Sequence, residues 1–377
     1  MKKFFILLTY SLLILSFEKI PQNHLQIIKL QNLPLKKNLI SKKFQKFLTD
    51  DFTYRFIEPF IKKRPEFNKS FIKREFKKFN FKLSLADYPN ALKYGIVIKN
   101  AYLKLIPLDK KFFLKNFPFD ISQSSTIYYS TPVFITEFTK DKKWCYVESY
   151  IASGWIKTKY IAFVDKNFIE KWFTGRFVTP VKDKIPIYDR KGKIVDYAYI
   201  GSQFPLKYEF QGIYVINIVK KSKNRNAIVK TTWVSKKLFK KKPLKLTYEN
   251  IGKIANELTL KPYGWGGANL NRDCSMTIRD LFAPFDIYLP RNSLDQINFV
   301  NYEDSTLIPY LTLIWFPSHI MLYVGKINGK KAIFHNFWRF KSNVYGKSMI
   351  TPMKKFIDGK RIKIRNVIPV ERINLFR

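Results

Sequence analysis

Apolar and polar positions change their spacing along the chain, and the changes mark its units. From about His24 to Asn90 the text is rich in Lys and Phe, with helical spacing at Phe44, Phe47 and Leu48 and again at Phe52, Phe56 and Phe60. A small helical region is expected there. From Tyr94 to about Val164 the period shortens to alternating runs, VFITEF, WCYVES and GWIKTKYIAF, separated by polar turns such as TKDKK. A second set, KIPIYD, IVDYAYI, GIYVINIV and NAIVKTTWV, repeats that style to Val234, with Gly192, Gly201 and Gly212 at the breaks. Two consecutive small β-barrels are the simplest reading. Beyond the basic linker SKKLFKKKPLK come a helical segment, a Gly-rich turn, a second helix and then strands, a mixed α+β unit over about 246–377.

Within that last unit, Ile278, Leu281, Phe282 and Phe285 recur at helical spacing after Cys274, so a helix starts close to the cysteine with Asp273 as its natural N-cap. A thiol in a first helical turn feels the positive end of the helix dipole. With Arg272 beside it in the chain, the thiolate should be favoured and the pKa lowered. The alternative, a small buried structural cysteine, stays open on these residues alone. A nucleophile needs a base, and the chain holds three histidines, His24, His319 and His335. His319 opens HIMLYVG, where Ile320, Leu322 and Val324 make one strand face and His319, Met321 and Tyr323 the other. His335 lies in the next strand, KKAIFHNFW, an arrangement that suits a base and its orienter. His24 has no such setting and is read as inert.

The two histidines share a sheet face in a regular hairpin only when paired residue numbers sum to an even value. A two-residue Asn328-Gly329 turn would pair Ile327 with Lys330, an odd sum. A three- or five-residue loop is therefore expected, with Gly329 left-handed.

Composition adds scale and partners. At 377 residues several cores are expected, and 46% hydrophobic content is that of a globular protein. The 69 Lys and Arg against 28 Asp and Glu give +41, which favours polyanions: nucleic acid, anionic lipid or wall polymer. The basic residues are spread through every segment rather than gathered in one block, so no dedicated nucleic-acid footprint is expected. Lys2 and Lys3 precede fourteen uncharged residues, Phe4 to Phe17, the layout of a secretory signal and shorter than the roughly 20 residues of a spanning helix. Residues 1–20 are read as a signal peptide or N-terminal anchor of an exported protein, in the periplasm or cell envelope. Only Cys145 and Cys274 occur, which excludes a multi-disulfide scaffold. Alternation in WCYVES puts Cys145 on a face with Val147, as a packed core thiol.

YGWGG with RDCS, then LPRNSLDQ, PSHIMLYVG and FHNFW resemble the NlpC/P60 family in order and spacing. Upstream, YGIVIKNAYLKLIPLDKKFF and STIYYSTPVFITEFTKDKKWCYVESYIASGWI resemble the first bacterial SH3 (SH3b) domain of the subgroup with two such domains before the peptidase. FIEPF resembles part of that subgroup's N-terminal clip. The resemblance implies a multidomain chain: a helical clip over 24–93, SH3-like β-barrels over 94–165 and 170–236, and a papain-like α+β peptidase domain over 245–377. It implies a γ-D-glutamyl-diamino acid endopeptidase acting on peptidoglycan stem peptides, with no cofactor and no metal. Cys274 would be the nucleophile, His319 the base and His335 the orienting third member. Tyr263 would line the nucleophile pocket, and Asp273 and Ser275 would hold the substrate's N-terminal end. A free N-terminal L-Ala is the expected preference, since the first SH3b domain walls off the cleft beyond it in the resembling subgroup. Two departures stand out: Ser318 where relatives often carry Gly before the base, and Trp338-Arg339 where Trp-Gly is usual.

Three rival readings predict different behaviour. A nucleic-acid-binding protein would bind DNA or RNA in a salt-sensitive way and give the Cys-His-His set no role. An inactive wall-binding protein would bind without turnover. Acyl transfer would use the same nucleophile and base.

Overall fold

The computed structural model describes residues 91–367, apart from 92, 106, 110, 112–118, 121, 140, 174, 301–305 and 340–344. The signal or anchor over 1–20, His24 and nearly all of the clip expected over 24–93 lie outside the described residues. Among the described residues no helix is long and apolar enough to cross a membrane.

The first unit is a seven-stranded antiparallel sheet. Its strands are β1 (Lys93–Val97), β2 (Ala101–Lys104), β3 (Gln123–Ile127), β4 (Pro132–Phe138), β5 (Trp144–Glu148), β6 (Gly154–Lys157) and β7 (Ile161–Val164), in the order β3-β2-β6-β5-β4-β1-β7. Alternation along these strands sends Ile127, Ile135, Cys145, Val147 and Ile156 into one core. That core is continuous with Met276, Ala283 and Tyr288 of the C-terminal unit, so the first unit is seated on the last rather than tethered to it. A short helix, α1 (Lys166–Phe173), buries Ile169 and Trp172 and leads into the second unit.

That unit pairs a hairpin of β9 (Ile185–Tyr188) and β10 (Ile194–Ala198) with a five-stranded sheet. The sheet holds β8 (Phe177–Pro180), β11 (Phe204–Phe210), β12 (Ile213–Lys221), β13 (Ala227–Ser235) and β14 (Phe239–Lys241), ordered β13-β12-β11-β8-β14.

In the C-terminal unit, α2 (Tyr248–Leu258) is capped by Thr247, whose side chain accepts from the Asn250 N–H. α3 (Cys274–Phe282) and α4 (Ser293–Phe299) follow, then β15 (Thr312–Phe316), β16 (His319–Ile327), β17 (Lys330–Arg339), β18 (Tyr345–Pro352), a single turn α5 (Lys354–Ile357) and β19 (Lys363–Asn366). The sheet order is β18-β17-β16-β15-β19, all neighbours antiparallel. Ile278, Leu281, Phe282 and Phe285 are all buried in the layer between the helices and this sheet, with Ile320, Leu322 and Val324 facing them. Met321, Tyr323 and Ile333 pack on the opposite side.

The loop expected between the two histidine strands is wrong. Ile327 pairs with Lys330 across a two-residue turn, with Asn328 (φ 49°) and Gly329 (φ 74°) both left-handed, as the Asn-Gly signal specifies. The parity is restored inside the hairpin by a β-bulge. Tyr323 pairs with Ile333 but Gly325 pairs with Ala332, so Val324 is an extra residue and the register beyond it has an even sum. His319 and His335 thereby reach one face.

Candidate active site

Asp273 caps α3, its carboxylate accepting from the Met276 N–H at 2.9 Å. Thr277 Oγ1 adds a bond to the Asp273 carbonyl at 2.8 Å. Cys274 is thereby held in the first turn. It is free of any disulfide and buried, and the backbone N–H groups of Ile320 and Ser275 stand near enough to favour its charged form. The Ile320 N–H belongs to the peptide that follows His319, which brings the start of β16 against the thiol. Among the described residues no hydrogen bond joins the thiol to His319.

The expected lowering of the thiol pKa does not occur. Burial dominates and, with the nearby Asp273 charge, pushes Cys274 up to about 12, against smaller favourable effects of the two N–H groups and Arg291. Arg272 plays no part, because its guanidinium points away, forming paired bonds of 2.9 and 2.8 Å to Asp183 and another to Asp280. The cation near the thiol is instead Arg291, in the loop before α4. Its two terminal nitrogens reach the Asp273 carboxylate at 3.1 and 2.6 Å and Ser275 Oγ at 2.9 Å, while Nε donates to Ser125 Oγ of β3 at 2.8 Å. Asp273, Ser275 and Arg291 thus form one buried polar cluster tied to the first β unit. Arg291 was visible only as part of LPRNSLDQ; without a helix or charge pattern around it, nothing singled it out.

On the facing strands, His319 Nε2 lies 2.8 Å from His335 Nδ1, and His335 Nε2 lies 3.0 Å from Thr351 Oγ1 on β18. One set of tautomers satisfies both contacts while leaving a lone pair on His319 Nδ1: each Nε2 carries a proton and donates along the line toward Thr351. Burial and the Lys360 charge lower the His319 pKa to about 3; burial and His319 itself hold His335 well below the usual imidazole range. The resting pair is therefore a neutral thiol and a neutral imidazole. Thr351 and Lys360 were not anticipated, because both meet the histidines only through strand pairing and chain return. Asn336, next to His335 but on the other face, donates to the Arg272 carbonyl at 2.7 Å and to Thr277 Oγ1 at 3.0 Å, fixing β17 to α3.

Tyr263 is half-buried beside the thiol, its hydroxyl pKa driven far up by desolvation and by the Cys274 and Asp273 charges. Its ring packs on Trp338 at 5.9 Å, and Phe119 of the first β unit contacts both Trp338 (5.3 Å) and Trp265 (5.1 Å), completing an aromatic wall. The YGWGG loop presses against β3: Gln123 Nε2 donates to the Gly266 carbonyl at 2.9 Å and Thr126 Oγ1 to that of Gly267 at 3.0 Å. Both glycines have positive φ, and a Cβ at either would run into the Gln123 backbone or the Thr126 side chain. Among the described residues no group of three or more His, Cys, Asp or Glu could hold a metal ion.

Residues 260–353, which contain Tyr263, the cluster and both histidines, match the NlpC/P60 family. Residues 109–157 match an SH3 domain of SH3b1 type and 165–209 one of SH3b2 type. The chain carries an NlpC/P60 domain behind two SH3b domains. It is similar to the solved structure of an NlpC/P60 endopeptidase from Photobacterium damselae subsp. piscicida, at 28% identity over 77% of this chain and 78% of that one, with a TM-score of 0.65. An NlpC/P60 family protein from Bacillus cereus ATCC 10987 shares the fold, at 16% identity over 73% of this chain and all (100%) of that one, TM-score 0.56. No curated protein matches the chain. The NlpC/P60 domain places Cys274 at a helix start and both histidines on adjoining strands, and the first SH3b domain supplies Phe119, Gln123, Ser125 and Thr126 to its rim.

Proposed function

We propose that this protein is an exported cysteine endopeptidase that cuts peptidoglycan stem peptides between γ-D-glutamate and the diamino acid. The observation that carries the reading is a helix-start Cys274 beside the Ile320 N–H, in a strand that His319 opens, with the hydrogen-bonded line His319–His335–Thr351 running from that strand, inside an NlpC/P60 domain. Because thiol and imidazole both rest neutral, His319 Nδ1 takes the thiol proton as sulfur attacks the γ-carbonyl carbon, rather than beforehand. The tetrahedral oxyanion is met by the Cys274 N–H, which has no acceptor within its own helix at that position. Collapse breaks the C–N bond, the diamino acid's amine leaves with the proton from His319, and a thioester remains. Water, deprotonated by His319, then hydrolyses it and returns the proton to sulfur.

The finer half of the proposal is a preference for free L-Ala-γ-D-Glu-diamino acid peptides over glycan-linked stems. The Asp273 carboxylate would take the α-ammonium, sharing its charge with Arg291, which already holds it from the other side. The test is incubation of purified protein with defined muropeptides and identification of products by mass. Release of L-Ala-γ-D-Glu supports the reading. Binding without turnover would favour the wall-binding alternative, and transfer products in place of hydrolysis would favour acyl transfer.

A further inference from the structure

The sheet of the second SH3b domain is apolar on both sides. Leu206, Ile216, Ile218 and Val234 point into its own core. On the other side, Val219 packs against Ile96, Ala162 and Trp172, so the first SH3b domain and α1 cover one end of that face. The other end is open. There Tyr208, Val215 and Trp233 pair in one row across three strands, and Phe210 pairs with Ile213 in the next. Trp233 is 66% exposed, Phe210 65% and Tyr208 52%. Three large rings side by side on a rigid sheet are uncommon on a surface that touches only water.

Charge decides what the rings meet. Strands β11, β12 and β13 carry four lysines and one carboxylate, Glu209. That carboxylate is bound by Lys236 and Lys241. Lys207, within the bulge beside Tyr208, is exposed on this face, whereas Lys230 pairs with the inward Ile218 and lies on the other side. Arg190 reaches Thr231, two residues from Trp233. Within β11, β12 and β13, Asn217 is the one amide on this face, and no carboxylate joins it. Rings with one polar edge, flanked by cations and poor in acceptors, match the boundary between lipid headgroups and acyl chains.

We infer that the open half of this face is a docking surface for an anionic lipid bilayer, with Tyr208, Phe210 and Trp233 entering the headgroup layer and Lys207 and Arg190 meeting lipid phosphates. The inference does not rest on the catalytic reading. Docking of this kind would hold the enzyme at the membrane face of the envelope with the Cys274 cleft on a different domain.

The experiment is flotation of the full chain with vesicles of phosphatidylglycerol and phosphatidylcholine, with vesicles of phosphatidylcholine alone, and with lipid-free sacculi. At low salt the protein floats with the anionic vesicles, partitions about tenfold less onto neutral ones, and is released by high salt. Replacing all three rings (Tyr208→Ser, Phe210→Ser, Trp233→Ser) or two cations (Lys207→Glu, Arg190→Glu) reduces partition about tenfold, with Tm and turnover of a soluble stem tripeptide unchanged. No flotation with anionic vesicles, or equal flotation of the ring and charge variants, overturns the inference. Ring-dependent binding to sacculi without binding to vesicles overturns it too, and would assign the face to a wall polymer.

Discussion

Cys145 and Cys274 are both free, both buried, and both pushed by burial to a pKa of about 12, yet only one stands where chemistry is available. Cys145 sits within β5 among Ile135, Val147 and Ile156, its thiol weakly eased by the Thr158 hydroxyl. Cys274 has the same desolvation but opens a helix, meets two backbone N–H groups, and lies between a phenol, an ion pair and the start of the histidine strand. Burial and titration therefore do not separate a nucleophile from a packing thiol. What separates them in the structure is the polar surroundings that Cys274 has and Cys145 lacks.

The sharpest way to break this comparison is to remove each sulfur in turn. Cys274→Ala should lower kcat/KM on a stem tripeptide by at least about a thousandfold with Tm retained, since it deletes the attacking atom but little volume. Residual turnover within tenfold of wild type would end the nucleophile assignment. Cys145→Ser should leave kcat/KM within about twofold and cost about 1–3 kcal/mol in denaturant unfolding, because a hydroxyl replaces an apolar thiol in an aliphatic core.

Asp273 probes the ion pair beside the reactive thiol. In wild type, N-acetylating the tripeptide should lower kcat/KM about tenfold to a hundredfold, the range of a charge-assisted contact, and Asp273→Asn should shrink that ratio toward one. Equal wild-type rates on both substrates would leave Asp273 as a helix cap and Arg291 partner alone.

Thr351→Val removes the last member of the histidine line. A several-fold fall in kcat with KM unchanged, and recovery in Thr351→Ser, would mark it as a positioning residue, its loss being that of one neutral hydrogen bond. An unchanged kcat would disconnect Thr351 from the chemistry.

Acid stability sharpens the picture of a neutral pair. In the unfolded chain His319 takes a proton near pH 6.5, whereas in the folded protein it stays neutral down to about 3. Between those values the unfolded state binds more protons, so stability falls as pH falls through that window. His335, lowered in the same direction, adds to the slope, and the double variant His319→Gln, His335→Gln should flatten it in urea titrations from pH 7 to 4. The reverse holds for Cys274. Its unfolded thiol ionises near 9 and its folded thiol near 12, so stability is lost as pH rises between them.

The smallest effect concerns Ser318. It precedes His319 with φ at 72°, a left-handed conformation that suits the Gly often found there in the resembling family. Ser318→Gly should raise stability by up to about 1 kcal/mol with kcat unchanged, read by urea unfolding and steady-state kinetics.

What the sequence alone determined is local in origin. Alternating runs located both β units, helical spacing after Asp273 located α3 and its cap, and the strand text around His319 and His335 assigned their faces within each strand, because side-chain direction repeats every 2 or 3.6 residues. Asn328-Gly329 even specified its own turn, against the longer loop inferred from the histidines. The rest depended on contacts between segments far apart in the chain. Only tertiary structure put the bulge at Val324 that aligns the histidines, brought Thr351 behind His335, turned Arg272 toward Asp183 and set Arg291 in its place beside Asp273. It also decided that Cys274 is buried enough for desolvation to outweigh the helix dipole, a balance set by how the helices and the facing sheet pack around the thiol. Spacing along a chain specifies which side of an element a residue occupies, and only packing specifies what stands opposite it.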